Sequence, residues 1–140
     1  MELIGDRKMN RDNMNISKVE TYLNSVLDNV VSNNTFFGYL IDKQAIDPSW
    51  QDMVLIEIPN GIQDYDGYGQ GTVLVWLYAR PLSSGRKNVA KMSELEQRLN
   101  EAVANAANEA YSIRRRSTYT DYDTNINWHC NAVELIITVA

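Results

Sequence analysis

The sequence predicts an α+β domain with a mainly antiparallel sheet of four to five strands and two long helices packed on one face of that sheet. Two segments repeat apolar residues at steps of three and four, and several short β-branched or aromatic runs lie between turn-forming residues. The predicted helices and strands do not alternate strictly along the chain. Strict alternation is typical of parallel βαβ units, so this order favours an antiparallel sheet with helices on one side.

The length and composition are those of one folded domain. The chain has 140 residues, and its 44% apolar and 22% charged residues match globular averages. We therefore expect a flexible N-terminal arm over residues 1–14 and a single domain over residues 15–140. No apolar run reaches the roughly 18 residues that a membrane span needs, so no membrane contact is expected. The arm lacks the apolar region of a secretory signal, which favours a cytosolic product.

Two segments have the apolar periodicity of amphipathic helices. The first runs over residues 15–31, and its start is indicated by Ser17 and Glu20 at capping-box spacing. The second begins after Asn88, a suitable N-cap, and continues to about Ala110. The two apolar stripes consist of Ile16, Val19, Leu23, Val26, Leu27 and Val30 in the first helix, and of Val89, Met92, Leu95, Leu99, Val103, Ala106 and Ala110 in the second.

Strands are predicted where β-branched and aromatic residues lie between turns. Residues 72–79 are an unbroken apolar run, which we place at the centre of the sheet with both faces covered. Residues 61–71 contain four glycines and are predicted to be a long hairpin loop or a binding loop. Residues 81–87 form a second flexible connection. The other predicted strands are residues 35–41, residues 53–58, and a C-terminal hairpin within residues 111–127 and 128–139.

The charge and the cysteine content exclude several functions. The net charge is -5, and affinity for phosphate backbones comes mainly from clustered Lys and Arg, which argues against general nucleic-acid binding. The single cysteine, Cys130, excludes an internal disulfide. One cysteine and one histidine cannot supply the four ligands of a structural zinc site. We therefore expect no metal and no cofactor.

No catalytic residue is predicted, and the chain is expected not to be an enzyme. His129 and Cys130 resemble a base and a nucleophile, but adjacent side chains on a strand point to opposite faces. We interpret Cys130 as a small buried residue. Asp64 and Asp66 could bind a cation, yet their loop lacks the ligand series and the terminal glutamate of a calcium loop. The glycines at positions 67, 69 and 71 precede a strand, whereas phosphate-binding loops precede a helix.

Tyrosines and arginines outside the predicted core are the candidate contact residues. Tyrosine is enriched at protein interfaces, although ordinary packing against neighbouring loops is the alternative interpretation. The arginines at positions 114–116 are interpreted as a solvated or salt-bridged strand, or as a contact with an acidic partner or with nucleic acid. The candidate oligomer-interface residues are Tyr65, Asp66, Tyr68, Arg86, Arg114, Arg116, Tyr119 and Tyr122.

The order of four segments resembles that of the tail-completion and tail-terminator proteins of tailed bacteriophages. These segments are the strand Thr72-Val-Leu-Val-Trp-Leu-Tyr-Ala, the helix containing Met92-Ser-Glu-Leu-Glu-Gln-Arg-Leu-Asn-Glu-Ala, residues 111–116, and the closing strand over residues 133–139. The resemblance covers about residues 16–140 and concerns the arrangement of elements, not a catalytic signature. It implies a virion structural protein that forms a ring at the neck or tail joint, as a tail terminator, a tail-completion protein or a head–tail connector, and that is assembled in the host cytoplasm.

The resemblance also implies the partners. They are other copies of the chain and the neighbouring neck, portal-side or tail proteins, with DNA passing through the lumen of the ring without specific binding. The acidic net charge fits this expectation, because such a surface does not attract phosphate. Contacts are expected at the sheet edges and at residues 61–71 and 81–87. The alternative is a small-molecule or peptide-binding module in which the loop from Gly61 to Gly71 covers a pocket.

Overall fold

The computed structural model describes residues 11–38 and 45–140, which contain one sheet and two helices. Residues 1–10 of the predicted arm and residues 39–41 of the first predicted strand lie outside the described residues. A short 3-10 turn, Arg11–Met14, comes first. The helices are α1 (Ile16–Leu27) and α2 (Val89–Ala104), and the strands are β1 (Thr35–Phe37), β2 (Asp52–Glu57), β3 (Ile62–Asp64), β4 (Gly69–Ala79), β5 (Tyr111–Asp123) and β6 (Trp128–Val139).

The strands form one mixed sheet in the order β1-β2-β4-β6-β5, and β3 pairs with the first residues of β4. β1 runs parallel to β2, and the other neighbouring strands are antiparallel. β4 and β6 pair along the whole of β4, from Gly69 opposite Val139 to Ala79 opposite His129. β5 pairs with β6 on one side and forms an edge of the sheet on the other.

The predicted fold class is wrong in the number of strands, in their pairing and in the length of the helices. The described residues contain six strands instead of four or five, and the parallel pair of β1 and β2 makes the sheet mixed. The helices are shorter than predicted, since α1 has 12 residues and α2 has 16. The described chain is therefore mostly sheet with a smaller helical part.

Specific contacts hold the chain where it turns away from the end of each helix. After α1, Asn29 has a left-handed backbone with a φ of 58°, and the turn buries Val31 completely. After α2, the carbonyl of Ala106 accepts a hydrogen bond from the Tyr22 hydroxyl at 2.6 Å. The Asn108 side chain then accepts bonds from backbone N–H groups at the start of β5. The alanine-rich sequence favours helix locally, but these contacts end it earlier.

The helix-covered face of the sheet contains the larger core. Leu23 and Leu27 from α1 and Leu95 and Leu99 from α2 have no exposed surface. They pack against alternate residues of the strands, because side chains on a strand alternate between the two faces. The sheet residues of this core are Val54, Ile56, Val73, Val75, Leu77, Ala79, Tyr111, Val133, Leu135, Ile137 and Val139.

The opposite face of the sheet, which we call the second face, has a smaller core at one end. This core consists of Met53, Leu55, Tyr78, Ile126, Trp128 and Cys130. Ile46 and Trp50 pack against it, so residues 45–50 cover part of the second face. The Arg80 guanidinium donates to the Trp50 carbonyl at 2.6 Å and lies 4.7 Å from the centre of the Trp128 ring. Farther along β4, Trp76 is only half-buried, so the prediction that both faces of β4 are covered is wrong for this part of the strand.

Candidate assembly surfaces

Residues 61–71 form a β-hairpin instead of the predicted long loop. β3 pairs with the start of β4, and the Tyr65 N–H donates to the Tyr68 carbonyl at 2.9 Å to close the turn. Asp66 and Gly67 at the turn have φ values of 57° and 147°, in the region that glycine and short polar residues tolerate best. The rings of Tyr65 and Tyr68 stack with centroids 5.2 Å apart, and each residue is 44% exposed. The turn therefore presents two stacked aromatic rings to solvent.

The N-terminal 3-10 turn contacts this hairpin through Arg11. The Arg11 guanidinium donates to the Asp64 carboxylate at 2.9 Å and lies 3.5 Å from the Asp66 carboxylate. The hydrogen bond from Arg11 lowers the pKa of Asp64 and raises the pKa of Arg11. Both candidate cation ligands thus lie beside a guanidinium. In residues 11–38 and 45–140, no three His, Cys, Asp or Glu side chains are grouped to hold a metal ion.

The connection over residues 81–87 lies at the opposite end of β4. It is a tight turn in which the Leu82 N–H donates to the Arg86 carbonyl at 2.9 Å and the Gly85 N–H donates to the Leu82 carbonyl at 2.8 Å. The Lys87 ammonium donates to the Asn131 side chain at 2.6 Å and so attaches the turn to β6. Leu82 is 47% exposed, and Arg86 is also exposed. This end of the molecule presents a basic and partly apolar surface.

β5 forms a long, exposed edge of the sheet. All of its residues from Arg114 to Tyr122 are exposed. A β-bulge between Arg115 and Ser117 shifts the register against β6 and leaves Arg116 as the extra residue. Arg116 forms an ion pair with Glu134 at 3.3 Å. In the described part of the chain no strand pairs with the outer side of β5, so this edge can accept another strand.

The eight predicted interface residues are all exposed, but they do not form one cluster. Tyr65, Asp66 and Tyr68 lie at the β3–β4 turn, Arg86 lies at the other end of β4, and Arg114, Arg116, Tyr119 and Tyr122 lie along β5. Tyr65 and Arg116 line a common depression of about 240 Å³. Tyr119 contacts the edge of Trp76 with centroids 6.0 Å apart, and Tyr122 contacts His129 with centroids 4.8 Å apart.

His129 and Cys130 lie on opposite faces of the sheet. Cys130 is 1% exposed within the smaller core, whereas the His129 ring lies 3.1 Å from the Gly85 carbonyl. Burial, together with the negative charges of Asp121 and Asp123, raises the pKa of the Cys130 thiol to about 12. The thiol is therefore protonated at neutral pH, and these two residues do not form a nucleophile with its base.

An acidic cavity on the second face is the main feature that the sequence did not predict. It has a volume of about 230 Å³, and Leu55, Glu57, Trp76, Tyr78, Asp121, Tyr122, Asp123, Thr124 and Cys130 line it. The Tyr78 hydroxyl donates to the Asp123 carboxylate at 3.0 Å, and burial, with a contribution from the Asp123 charge, raises the pKa of Tyr78. Glu57 lies on β2, whereas Asp121 and Asp123 lie on β5, far away in the sequence. The alternation of Asp121 and Asp123 was the only sequence signal for this cavity.

Comparisons with known proteins do not assign the chain to a family. No protein-family model matches the sequence, and no curated protein matches it. Within the described residues, neither helix has the length and apolar character needed to cross a lipid bilayer.

Proposed function

We propose that this chain is a structural subunit that assembles head-to-tail into a ring at the neck or tail joint of a tailed bacteriophage. One observation carries the proposal: an exposed surface with Asp66, Tyr65 and Tyr68 lies at one end of β4, and an exposed surface with Arg86 and Leu82 lies at the other end. β4 has 11 residues, which corresponds to a length of about 35 Å. A contact between two different surfaces of identical subunits forms a ring when the rotation between neighbours closes, and an open filament when it does not.

The chemistry of the two ends is complementary. At the hairpin end, Asp66 has a fully exposed side chain beside the stacked rings of Tyr65 and Tyr68. At the other end, Arg86 is exposed next to Leu82. An arginine pairs with a carboxylate and also stacks on aromatic rings, so the Arg86 end of one copy suits the hairpin end of the next.

The phage assignment rests on the order of elements. The resemblance to tail-completion and tail-terminator proteins implies neighbours on the capsid side and on the tail side, and DNA in the lumen. The net charge of -5 supports a lumen that does not hold DNA tightly. The neighbouring genes provide a separate test of this assignment. A position between portal and tail genes would support it, and a position in a group of metabolic genes would contradict it.

The ring contact can be tested with a double-mutant cycle. Native mass spectrometry and electron microscopy of the purified chain should show closed rings. Asp66→Asn, which keeps a residue suited to the φ of 57°, and Arg86→Gln should each reduce the ring fraction. If the two residues contact each other across the interface, the double variant should lose less than the sum of the single losses.

The matched control for the cycle is Glu109→Gln, an exposed acidic residue outside both surfaces. It should leave the ring fraction unchanged. A parent chain that stays monomeric at every concentration would contradict the proposal, as would additive effects of the Asp66 and Arg86 variants. Circular dichroism of each variant separates lost assembly from lost folding.

A small-molecule or peptide-binding module remains the second candidate function. The depression beside the β3–β4 hairpin supports it, because Tyr65 and Gln63 line that space together with Arg116. Its volume of about 240 Å³ is below the roughly 300 to 1,000 Å³ of typical ligand sites. A larger groove of about 540 Å³ lies between α1 and α2, but residues 61–71 do not line it. The binding-module proposal therefore has less support.

A further inference from the structure

The exposed edge strand β5 has a self-complementary distribution of charge. Its first half contains three consecutive arginines at residues 114–116, and its second half contains Asp121 and Asp123. Tyr119 lies between the two halves and is 44% exposed. In an antiparallel pair of identical strands, the first half of one strand lies opposite the second half of the other. The basic half of one copy would then meet the acidic half of a second copy.

We propose that β5 pairs antiparallel with β5 of a second copy, about a two-fold axis at Tyr119. Tyr119 then lies opposite Tyr119 of the second copy, and Ser117 lies opposite Asp121 of that copy. Beyond the bulge, Arg114 lies opposite Asp123 of the second copy. Opposite charges at facing positions stabilise a strand pair. Because the contact is two-fold symmetric, each favourable pair occurs twice.

The β-bulge makes this register consistent with the two faces of the sheet. Arg114 and Asp123 are nine positions apart. In a regular strand their side chains would point to opposite faces and could not form a facing pair. The bulge between Arg115 and Ser117 shifts the alternation by one residue. Arg114 pairs with Ile136 and Asp123 pairs with Trp128, which places both side chains on the second face.

The same register places a second favourable pair on the helix-covered face. Arg115 lies opposite Tyr122 of the second copy, and both side chains point to that face because their partners on β6 are Leu135 and His129. A guanidinium over a tyrosine ring is a stabilising contact. A parallel pairing in register would instead place arginine opposite arginine, which is destabilising. The charges of β5 therefore specify the antiparallel direction.

This contact does not depend on the proposed ring or on a role in a virion. It uses the β5 edge, whereas the proposed ring contact uses the two ends of β4. If both contacts form, the two-fold contact joins a subunit of one ring to a subunit of another. If only the two-fold contact forms, the chain is a dimer.

Cysteine cross-linking tests the register directly. Residues facing each other in an antiparallel pair have Cα atoms about 4.5 to 5.5 Å apart, a separation that allows a disulfide. Tyr119→Cys in the full chain should form a cross-linked dimer under mild oxidation. Cys130 is 1% exposed and does not compete. Ser112→Cys is the matched control, because Ser112 is exposed on the same strand but lies beyond the paired region.

Charge reversal gives an independent readout of the same contact. Arg114→Asp and Asp123→Lys should each convert the dimer to monomer in sedimentation, and the double variant should restore the dimer because opposite charges then face each other again at both symmetry-related pairs of residues 114 and 123. Circular dichroism checks the fold, since Asp123 also accepts a hydrogen bond from Tyr78.

Cross-linking at position 119 that is no faster than at position 112 would overturn the proposal. Asp66→Asn should leave the cross-link at position 119 unchanged, which distinguishes this contact from the ring contact.

Discussion

The two faces of the sheet differ in how completely they are covered. On the helix-covered face, Leu95 and Leu99 of α2 pack without exposed surface against β4 and β6. On the second face, the core occupies one end, and Trp76 remains half-buried beside the exposed Tyr119. The Trp76 indole N–H is buried and has no hydrogen-bond partner within the described residues. We infer that the helix-covered face contributes most of the stability, and that the second face and the β5 edge are available for contacts.

The largest effect is expected for Leu99→Ala on the helix-covered face. Leu99 is fully buried, and truncating such a leucine costs about 2 to 5 kcal/mol because it leaves a cavity. Chemical denaturation should measure this loss. Gln97→Ala, at an exposed position of the same helix, is the control and should change the free energy of unfolding by less than about 0.5 kcal/mol. Arg98 is unsuitable as a control, because it donates to the Val31 carbonyl at 3.1 Å.

A smaller effect is expected for Trp76→Phe on the second face. The substitution removes contact area, but it also removes a buried N–H that lacks a partner within the described residues. The free energy of unfolding should therefore fall by less than it does for Leu99→Ala, because Trp76 is only half-buried whereas Leu99 is fully buried. The same denaturation experiment measures it. A loss equal to that of Leu99→Ala would show that both faces contribute similarly.

The smallest effect concerns the ion pair that joins α2 to β2. The Lys91 ammonium lies 2.9 Å from the Asp52 carboxylate, and this hydrogen bond raises the pKa of Lys91. Because the pKa of Lys91 is higher in the folded state than in the unfolded state, protonated Lys91 stabilises the folded protein. This stabilisation is fully present below the pKa of an unfolded lysine, about 10.4, and is lost as the pH rises through the pKa of Lys91 in the folded state. The stability difference between the parent and Lys91→Met should thus be constant from neutral pH to about pH 9 and should shrink above about pH 10.4.

The matched control for the pH experiment is Lys18→Met, since Lys18 is exposed on α1. Its difference from the parent should stay small across the same range. Comparing variants with the parent at each pH removes the contributions of titratable groups that both proteins share. A Lys91→Met difference that grows at high pH would contradict the sign of the shift.

Local sequence patterns predicted the elements that depend on local periodicity. The apolar stripes placed α1 and α2, and the unbroken apolar run placed β4 inside the sheet, where the structure pairs it with β2 and β6. The closing hairpin of β5 and β6 was also predicted within a few residues. Each of these segments has enough apolar or β-branched residues to indicate its structure without knowledge of its partner.

The features that were missed depend on contacts between segments and are not visible in the apolar pattern of one segment. β3 has the sequence Ile-Gln-Asp, and it is a strand because it pairs with β4 across the turn at Asp66 and Gly67. β1 is parallel to β2, a pairing that periodicity does not reveal. The end of α2 depends on the hydrogen bond from Tyr22 to the Ala106 carbonyl. The predicted interface residues show the same dependence on contacts between segments. The sequence indicated that these residues are exposed, but it did not indicate that they lie on three separate surfaces.

Hydrogen–deuterium exchange at two protein concentrations tests most directly whether the β5 edge is a contact surface between copies. β4 and β6 lie inside the sheet, so their amides should exchange slowly at both concentrations. The outward-facing amides of β5 should exchange rapidly in dilute solution and become protected in concentrated solution as copies associate. Tyr119→Lys, which places like charges at the proposed two-fold axis, should abolish this protection. Rapid exchange along β5 at both concentrations would contradict a contact between copies at this edge.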